Sequence, residues 1–255
     1  MIPVRGVVLA IVAAPTVVLL LGALSSRWFF PHPWPESLTF DHVVEIAGAA
    51  TTRRALGTGL LVGMAVSLLS LVLAWPTAQI LARRQVPGRA AIAAVLLLPS
   101  LLPPVGLAIG IDVMLLRAHL AGTIAGVIVA HLVPTMPYVV ASLTAGFARH
   151  DRLIEAQAAS LGASDRQRLL LVTLPAMRRT ILVAAALGVV VSWSQYLLTV
   201  LAGSGKVVTI TILLFNALSG ANPSTIGVLA LAAAAPAIVL VVIAGRHAVE
   251  PMVGR

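Results

Sequence analysis

Long apolar stretches separated by short charged segments dominate the chain. Six stretches contain no Asp, Glu, Lys or Arg over a length that can cross a bilayer, which takes about 20 residues of helix. The six predicted spans are Gly6–Ser26, Ala55–Ala82, Ala90–Ile111, His119–Ala148, Thr180–Gly205 and Thr225–Gly245. The pattern therefore predicts an all-α membrane protein in which residues 1–255 form one transmembrane domain.

Two of the apolar stretches need interpretation. Val207–Gly245 is too long for one span, and Gly220, Asn222 and Pro223 divide it. We expect Val207–Ser219 to form a short buried or re-entrant helix at the outer face, ahead of the sixth span. The first stretch exceeds the roughly 7–15 apolar residues of a secretory signal, so we expect it to be an uncleaved span.

Prolines interrupt the predicted second, third and fourth spans. They are Pro76, Pro99, Pro103, Pro104, Pro134 and Pro137. A proline leaves the carbonyl four residues earlier without a partner, so we expect kinked or broken helices there. Pairs of glycines at helical spacing, such as Gly59 with Gly63 and Gly106 with Gly110, predict close packing between membrane helices.

The composition agrees with a membrane protein and excludes several chemistries. Hydrophobic residues make up 60% of the chain and charged residues 10%, against about 25% charged residues in a soluble domain. Cysteine is absent, which excludes disulfides, thiolate metal ligands and cysteine nucleophiles. The net charge of +9 would suggest nucleic acid in a soluble protein, but in a membrane protein the placement of the charges decides.

The basic residues divide unequally between the two sides of the predicted membrane. Six spans place both termini on one side, and the loops of that side hold 12 of the 17 basic residues. These are Arg5, Arg83, Arg84, Arg89, Arg149, Arg152, Arg166, Arg168, Arg178, Arg179, Arg246 and Arg255. Because basic residues favour the cytoplasm, we predict that both termini are cytoplasmic. The membrane topology then accounts for the excess of basic residues, so no nucleic-acid partner is needed to explain the net charge.

The predicted cytoplasmic loop 149–179 carries 9 of the 25 charged residues and is too ordered in pattern to be a simple turn. Asp151 can N-cap a short helix whose apolar residues Ile154, Ala158 and Leu161 share one face. Gly162 can end this helix in the left-handed conformation. The two features predict a helical knob on the cytoplasmic face.

A second short helix follows in the same loop. Ser164 and Gln167 have the spacing of a capping box, and the helix they begin is expected to run to Pro175. Two helices that meet at a glycine form a rigid surface to which a partner can dock.

The segment Glu155–Ser164, followed by Leu174 and Pro175, resembles the EAA loop of the permease subunits of bacterial ATP-binding-cassette (ABC) importers. In that family a proline stands thirteen positions after the loop glycine, the spacing between Gly162 and Pro175. One departure is that Ala156 occupies the place of the family's glutamate and Glu155 lies one position earlier, which leaves open the residue that makes the acidic contact.

Further segments extend the resemblance over spans two to six. The Leu-Pro pairs 98–99 and 102–103, His131 with Pro137 and Tyr138, and residues 192–199 are similar to the polyamine, thiamine, ferric-iron and sulfate branch of these permeases.

The resemblance implies the type I ABC importer permease fold in a bacterial cytoplasmic membrane. It also implies a second permease, identical or homologous, two ATPase subunits that use ATP and Mg²⁺, and an extracytoplasmic solute-binding protein. The residues that it assigns to ATPase coupling are Glu155, Ala156, Ala158, Ala159, Leu161, Gly162, Ala163, Ser164, Leu174 and Pro175.

The chain has no ATPase site or cofactor site of its own. Its Gly205-Lys206 pair has Val200 in place of the first P-loop glycine and Val207 after the lysine. Metalloprotease and hydrolase motifs are also absent from the sequence. The alternative function is an ion-gradient-driven secondary transporter, which predicts an inverted repeat and intramembrane ionisable residues.

Polar residues within the spans are the candidates for a solute path. Ser192, Gln195 and Tyr196 are spaced to share one side of a helix in span five, although Ser192 and Gln195 suit interhelical hydrogen bonds nearly as well. Asp112 either belongs to the path, or reaches water or pairs with Arg117 at the outer end of span three. His131 is expected to bond a freed carbonyl rather than a metal.

The scarcity of aromatic and acidic side chains in the spans disfavours a sugar as the solute. The favoured solutes are a cation of the polyamine or thiamine kind and a small oxyanion.

Overall fold

The computed structural model of the protein describes residues 4–26, 28, 32–82, 87–220 and 222–248. Arg27, Arg83, Arg84 and Arg255 of the predicted loops lie outside these residues. The helices are α1 Val4–Leu24, α2 Asp41–Gly48, α3 Ala50–Ala82, α4 Arg89–Leu101, α5 Pro104–Arg117, α6 Ile124–Arg149, α7 Arg152–Ser160, α8 Asp165–Gln167, a π segment Arg168–Thr173, α9 Leu174–Trp193, α10 Leu197–Gly203, α11 Ile210–Ser219 and α12 Pro223–Ala248. The predicted all-α fold is confirmed.

Four helices of the described part are long and apolar enough to cross a membrane. They are Ala50–Ala82, Ile124–Arg149, Asp165–Trp193 and Pro223–Leu240. The pair α4 and α5 supplies a fifth span if the two are counted together. The stretch predicted as the first span overlaps α1, in which Ala13–Leu24 is a shorter apolar segment. The predicted short helix before the last span is α11.

The predicted third span is not one helix, because α4 and α5 are bent by 103°. The break falls at Leu102 and Pro103, which both have extended backbones with ψ of 144° and 131°. Each precedes a proline, and a proline disfavours the helical conformation of the residue before it. Pro76 and Pro134, which have no proline directly after them, lie inside continuous helices.

The predicted fifth span begins earlier and ends earlier than expected. One continuous helix runs from Asp165 to Trp193, so the expected end of the second loop helix at Pro175 is wrong. The chain turns through the π segment directly before this proline, and the amide of Leu174 donates to the carbonyl of Leu169, five residues back. The wider turn makes room for a proline ring that a regular α-turn would exclude.

Small residues let α3, α6 and α9 approach closely at the centre of the bundle. A Cβ at Gly59 would lie 3.0 Å from the ring of Trp193, and one at Gly188 would lie 3.1 Å from Ser67. The predicted packing role therefore holds for Gly59. Gly106 and Gly110 differ, because their α-carbons face open space.

Candidate functional sites

The helix α7 of the cytoplasmic loop has the caps that the sequence predicts. Oδ1 of Asp151 accepts the backbone N–H of Leu153 at 2.9 Å. At the other end Gly162 has φ of +83°, and its amide and that of Ala163 donate to the carbonyls of Ala159 and Ala158 at 3.0 Å. This bonding pattern is a Schellman motif, in which a left-handed residue closes the helix.

The start of the next helix also follows the prediction. Oε1 of Gln167 accepts the amide of Ser164 at 2.8 Å, and the amide of Gln167 donates to Oγ of Ser164 at 3.3 Å. The capping box and the left-handed glycine together fix the corner between α7 and α8.

Exposed apolar side chains lie at both ends of α7. Leu161 is 87% exposed, Leu153 67% and Ile154 49%. Ala158, predicted to share a face with Ile154 and Leu161, is half-buried against the rest of the chain. We call Leu153, Ile154 and Leu161 the apolar corner.

The remaining residues assigned to coupling divide by exposure. Ala156, Ala159, Gly162, Ser164 and Pro175 are exposed, and Ala163 and Leu174 are half-buried.

Glu155 is directed into the protein and binds residues on both sides of α7. Its Oε1 accepts a 2.6 Å hydrogen bond from the hydroxyl of Thr173 in the π segment. The same oxygen lies 3.0 Å from Nε2 of His150, which follows the last residue of α6. The carboxylate therefore joins α7 to the end of α6 and to the π segment. Sequence analysis missed Thr173 and His150, since only the fold brings them to Glu155.

Ser192, one of the predicted path residues, is buried in an interhelical network. It is 2% exposed, and its hydroxyl shares a 2.9 Å hydrogen bond with Nδ1 of His131. Nε2 of His131 lies 3.0 Å from the hydroxyl of Thr199. The expectation that His131 bonds a freed carbonyl is wrong, because two hydroxyls brought in by α9 and α10 saturate its ring nitrogens.

The network also fixes the tautomer of the neutral His131 ring. The single proton of the Thr199 hydroxyl is donated to the carbonyl of Gln195. Thr199 must then accept from His131, so Nε2 carries the hydrogen and Nδ1 accepts from Ser192.

The other predicted path residues lie at or beside a helix break. Because α9 ends at Trp193, Gln195 and Tyr196 do not share a helical face with Ser192. Nε2 of Gln195 donates to the carbonyl of Val191 at 3.1 Å. The ring of Tyr196 stacks on Phe215, with the ring centroids 4.1 Å apart.

Asp112 lies in α5 and makes no ion pair with Arg117 among the described residues. Its Oδ1 is buried and has no hydrogen-bond partner among the described residues. The expected pairing with Arg117 is therefore not observed.

A cavity of about 300 Å³ lies where the two helix breaks meet. Its polar lining comes from the side chains of Ser100, Tyr138, Ser194 and Gln195. Pro99, Pro104 and Pro134 also line it. None of the residues that line it, all within the described part of the chain, is charged. We call it the helix-break cavity.

These features define a helical protein with several helices able to span a membrane, an exposed apolar corner next to α7 and a cavity lined by four polar and eight apolar residues. No protein-family model matches the chain. It is 33% identical over 184 residues to PhnV of Salmonella typhimurium, named as a permease of a 2-aminoethylphosphonate transport system, and this covers 71% of the chain and 68% of PhnV. It is 28% identical over 142 residues to the molybdate/tungstate permease WtpB of Thermococcus kodakarensis, covering 55% of each.

Solved structures show the same fold at low sequence identity. A bacterial ABC transporter involved in the import of the acidic polysaccharide alginate matches with a TM-score of 0.72 and 14% identity, over 95% of this chain and 93% of that one. The same kind of transporter in complex with an alginate-pentasaccharide-bound periplasmic protein matches with a TM-score of 0.63 and 16% identity, over 95% of this chain and 91% of that one.

The chain belongs to the permease subunits of ABC importers. It is a membrane-spanning subunit, and in this family separate subunits hydrolyse ATP. The ion-gradient alternative is therefore wrong.

Proposed function

We propose that this permease pairs with a second permease and two ATPase subunits, and passes a small oxyanion from an outer binding protein to the cytoplasm. The apolar corner is the observation that carries the proposal. Leu161 lies 87% exposed next to a glycine-fixed turn, and an exposed apolar group on a rigid element is typical of a docking site. An ATPase subunit is the partner expected for the permease subunit of an ABC importer.

The coupling step follows from the connections of α7. A force on the apolar corner reaches α6 through His150 and the long helix through Thr173, since both bond Glu155. This long helix runs without a break to Trp193, which lies beside the helix-break cavity. Closure of the ATPases would thus be transmitted to the solute path.

The cavity supports a weakly held, hydrogen-bonding solute. Hydroxyls of Ser100, Tyr138 and Ser194 and the amide of Gln195 can donate to oxygens. Because the lining carries no fixed charge, an anion would bind weakly and be released quickly, as a transported solute must be. The permeases named for 2-aminoethylphosphonate and for molybdate or tungstate favour a small oxyanion over a polyamine or thiamine cation.

The excess of basic residues supports cytoplasmic placement of both termini and of α7. Because the sequence has no cysteine, Ser160→Cys introduces a unique label site. A membrane-impermeant maleimide should label it in inside-out vesicles and not in intact cells with permeabilised outer membranes. The reverse pattern would contradict the orientation.

Purification of the complex tests the docking proposal. Leu161→Asp should remove the ATPase subunit from a mild-detergent preparation, because a carboxylate cannot enter an apolar groove. Val44→Asp is the control, since Val44 is 71% exposed on α2, between the predicted first and second spans and so on the side opposite to α7 in the proposed orientation. Equal recovery of the ATPase with both variants would overturn the assignment of the apolar corner.

A further inference from the structure

A small cavity, separate from the helix-break cavity, lies where α3, α6, the end of α9 and the start of α11 meet. Its volume is about 10 Å³, close to that of one water-sized sphere, so it has room for a single water molecule and for nothing larger. We propose that it binds one structural water, which joins the hydroxyl of Thr209 to the hydrogen-bond network of His131. We call it the threonine cavity, since Thr199, Thr209 and Thr211 line it.

The hydroxyl of Thr209 is the observation that carries the proposal. Thr209 lines the cavity and is 6% exposed. Its Oγ1 is buried and has no hydrogen-bond partner among the described residues. A buried hydroxyl without a partner is costly, and proteins satisfy such groups either with other protein atoms or with an ordered water.

Thr209 also does not use its hydroxyl on its own helix. It stands at the N-cap of α11 with φ of −110° and ψ of 167°. From this extended backbone a threonine side chain commonly accepts an amide of the first helical turn, but here no such bond forms. Because the next two residues, Ile210 and Thr211, are buried as well, bulk solvent does not reach the hydroxyl, and its partner has to lie in the cavity.

The other hydroxyls that line the cavity have already donated their hydrogens. In the tautomer of His131 given above, they donate as follows: Ser192 to the ring, Thr199 to the carbonyl of Gln195, and Thr211 to the carbonyl of Trp193. A hydroxyl oxygen that has donated its hydrogen can still accept hydrogen bonds through its lone pairs. The lining therefore offers acceptors on several sides and one hydroxyl hydrogen, that of Thr209.

This inventory of donors and acceptors identifies the ligand. The ligand has to accept the hydrogen of Thr209 and to donate to the other hydroxyl oxygens, and a water molecule does both. A halide or a fully ionised oxyanion cannot donate, and a metal or ammonium cation cannot accept. The residues that line the cavity, all within the described part of the chain, include no acidic residue and no basic residue except the neutral His131, so an ion would be buried without a counter-charge.

The water would tie the start of α11 to three other helices. His131 lies in α6, and its ring holds Ser192 near the end of α9 and Thr199 in α10. A water between this network and Thr209 therefore adds α11 to it. The direct bond from Thr211 to the carbonyl of Trp193, 2.9 Å long, fastens the same junction.

Two measurements on the intact protein, purified in mild detergent, test the proposal. The first is a high-resolution electron-microscopy map of the wild type, in which the water is density in the threonine cavity about 3 Å from Oγ1 of Thr209. The second compares the thermal unfolding of Thr209→Val with that of Thr144→Val. Thr144 is the matched control, because its hydroxyl oxygen is also buried without a partner among the described residues, but Thr144 does not line the cavity.

The two substitutions make the same change and should have different effects. Thr209→Val deprives the water of a hydrogen-bond donor, so we expect the unfolding temperature to fall by about 2–4 °C, the shift for one net hydrogen bond in a chain of this size. Replacing a hydroxyl that has no partner with a methyl group of the same shape is neutral or stabilising. Thr144→Val should therefore unfold at the wild-type temperature or above it.

The salt of the buffer distinguishes water from a monovalent cation. Unfolding is measured in sodium chloride and in choline chloride at equal ionic strength. A bound water predicts the same difference between wild type and Thr209→Val in both salts. A difference that appears only in sodium chloride would identify a cation and overturn the proposal.

Three further results would contradict the water. They are a wild-type map without density in the threonine cavity, an unfolding temperature of Thr209→Val at or above that of the wild type, and an equal fall for Thr209→Val and Thr144→Val. The wild-type map requires no substitution, so it decides the proposal even if Thr209→Val does not fold.

Discussion

Thr173 and Glu155 lie 18 positions apart in the chain, yet the threonine hydroxyl donates a 2.6 Å hydrogen bond to the glutamate carboxylate. The bond crosses the corner at Gly162 and fastens the middle of α7 to the π segment below α9. In the proposed mechanism, this is the shortest path from the docking surface to the membrane helix.

Removing the hydroxyl should weaken this path without removing the docking surface. Thr173→Val leaves the carboxylate with one partner fewer, at a cost of about 1 kcal/mol because Glu155 is partly open to solvent. We expect solute uptake per ATP hydrolysed to fall several-fold while the ATPase still co-purifies. Thr51→Val, at an exposed position of α3, should have no effect. Unchanged coupling in Thr173→Val would contradict the role of the bond.

The corner itself should depend on the glycine. Gly162→Val places a β-branched residue at φ of +83°, a strain of roughly 1–2 kcal/mol or more. The protein should still insert in the membrane, but solute-stimulated ATPase activity should be lost. Gly48→Val is the control, since the space around Gly48 is open and its φ is not positive. Normal transport by Gly162→Val would show that the corner is not required.

The network of His131 should contribute to stability rather than to transport. Ser192→Ala leaves a buried ring nitrogen without its donor, which costs about 1–3 kcal/mol. We expect a lower thermal unfolding temperature for Ser192→Ala and little change for Ser194→Ala, since Ser194 is exposed. A double-mutant cycle with His131→Leu should show that the two residues are coupled. Equal melting temperatures would rule out the network as a stabilising element.

Gln195 should affect transport instead. Its amide lines the helix-break cavity, so Gln195→Leu removes a donor from the proposed path. Uptake should fall by about tenfold, as expected for one lost hydrogen bond of about 1.4 kcal/mol, while assembly and basal ATPase activity remain. Gln79→Leu makes the same change in α3, away from the cavity. Uptake equal to wild type in Gln195→Leu would place the path elsewhere.

Features with short-range causes could be predicted from the sequence. The cap at Asp151, the turn at Gly162 and the capping box at Ser164 depend on residues within a few positions. A proline pair likewise indicates a break, although the bend of 103° after Leu102 depends on what α4 and α5 pack against.

Contacts across the fold could not be predicted in this way. The ring of His131 is hydrogen-bonded to Ser192 and Thr199, which lie 61 and 68 residues away in sequence. Nothing near His131 in the sequence indicates either hydroxyl. The helix that crosses Pro175 was missed because a π turn has no simple sequence pattern.

The unbroken helix from Asp165 to Trp193 gives the subunit a lever. Its 29 residues, at about 1.5 Å each, span about 43 Å. A tilt of about 10° around the middle would carry each end about 4 Å, in opposite directions. In the proposed mechanism, a movement of ångströms at the end of this helix near α7 would therefore reach the helix-break cavity with similar amplitude and in the opposite direction, so that pushing the ends near α7 together would draw the ends at the cavity apart.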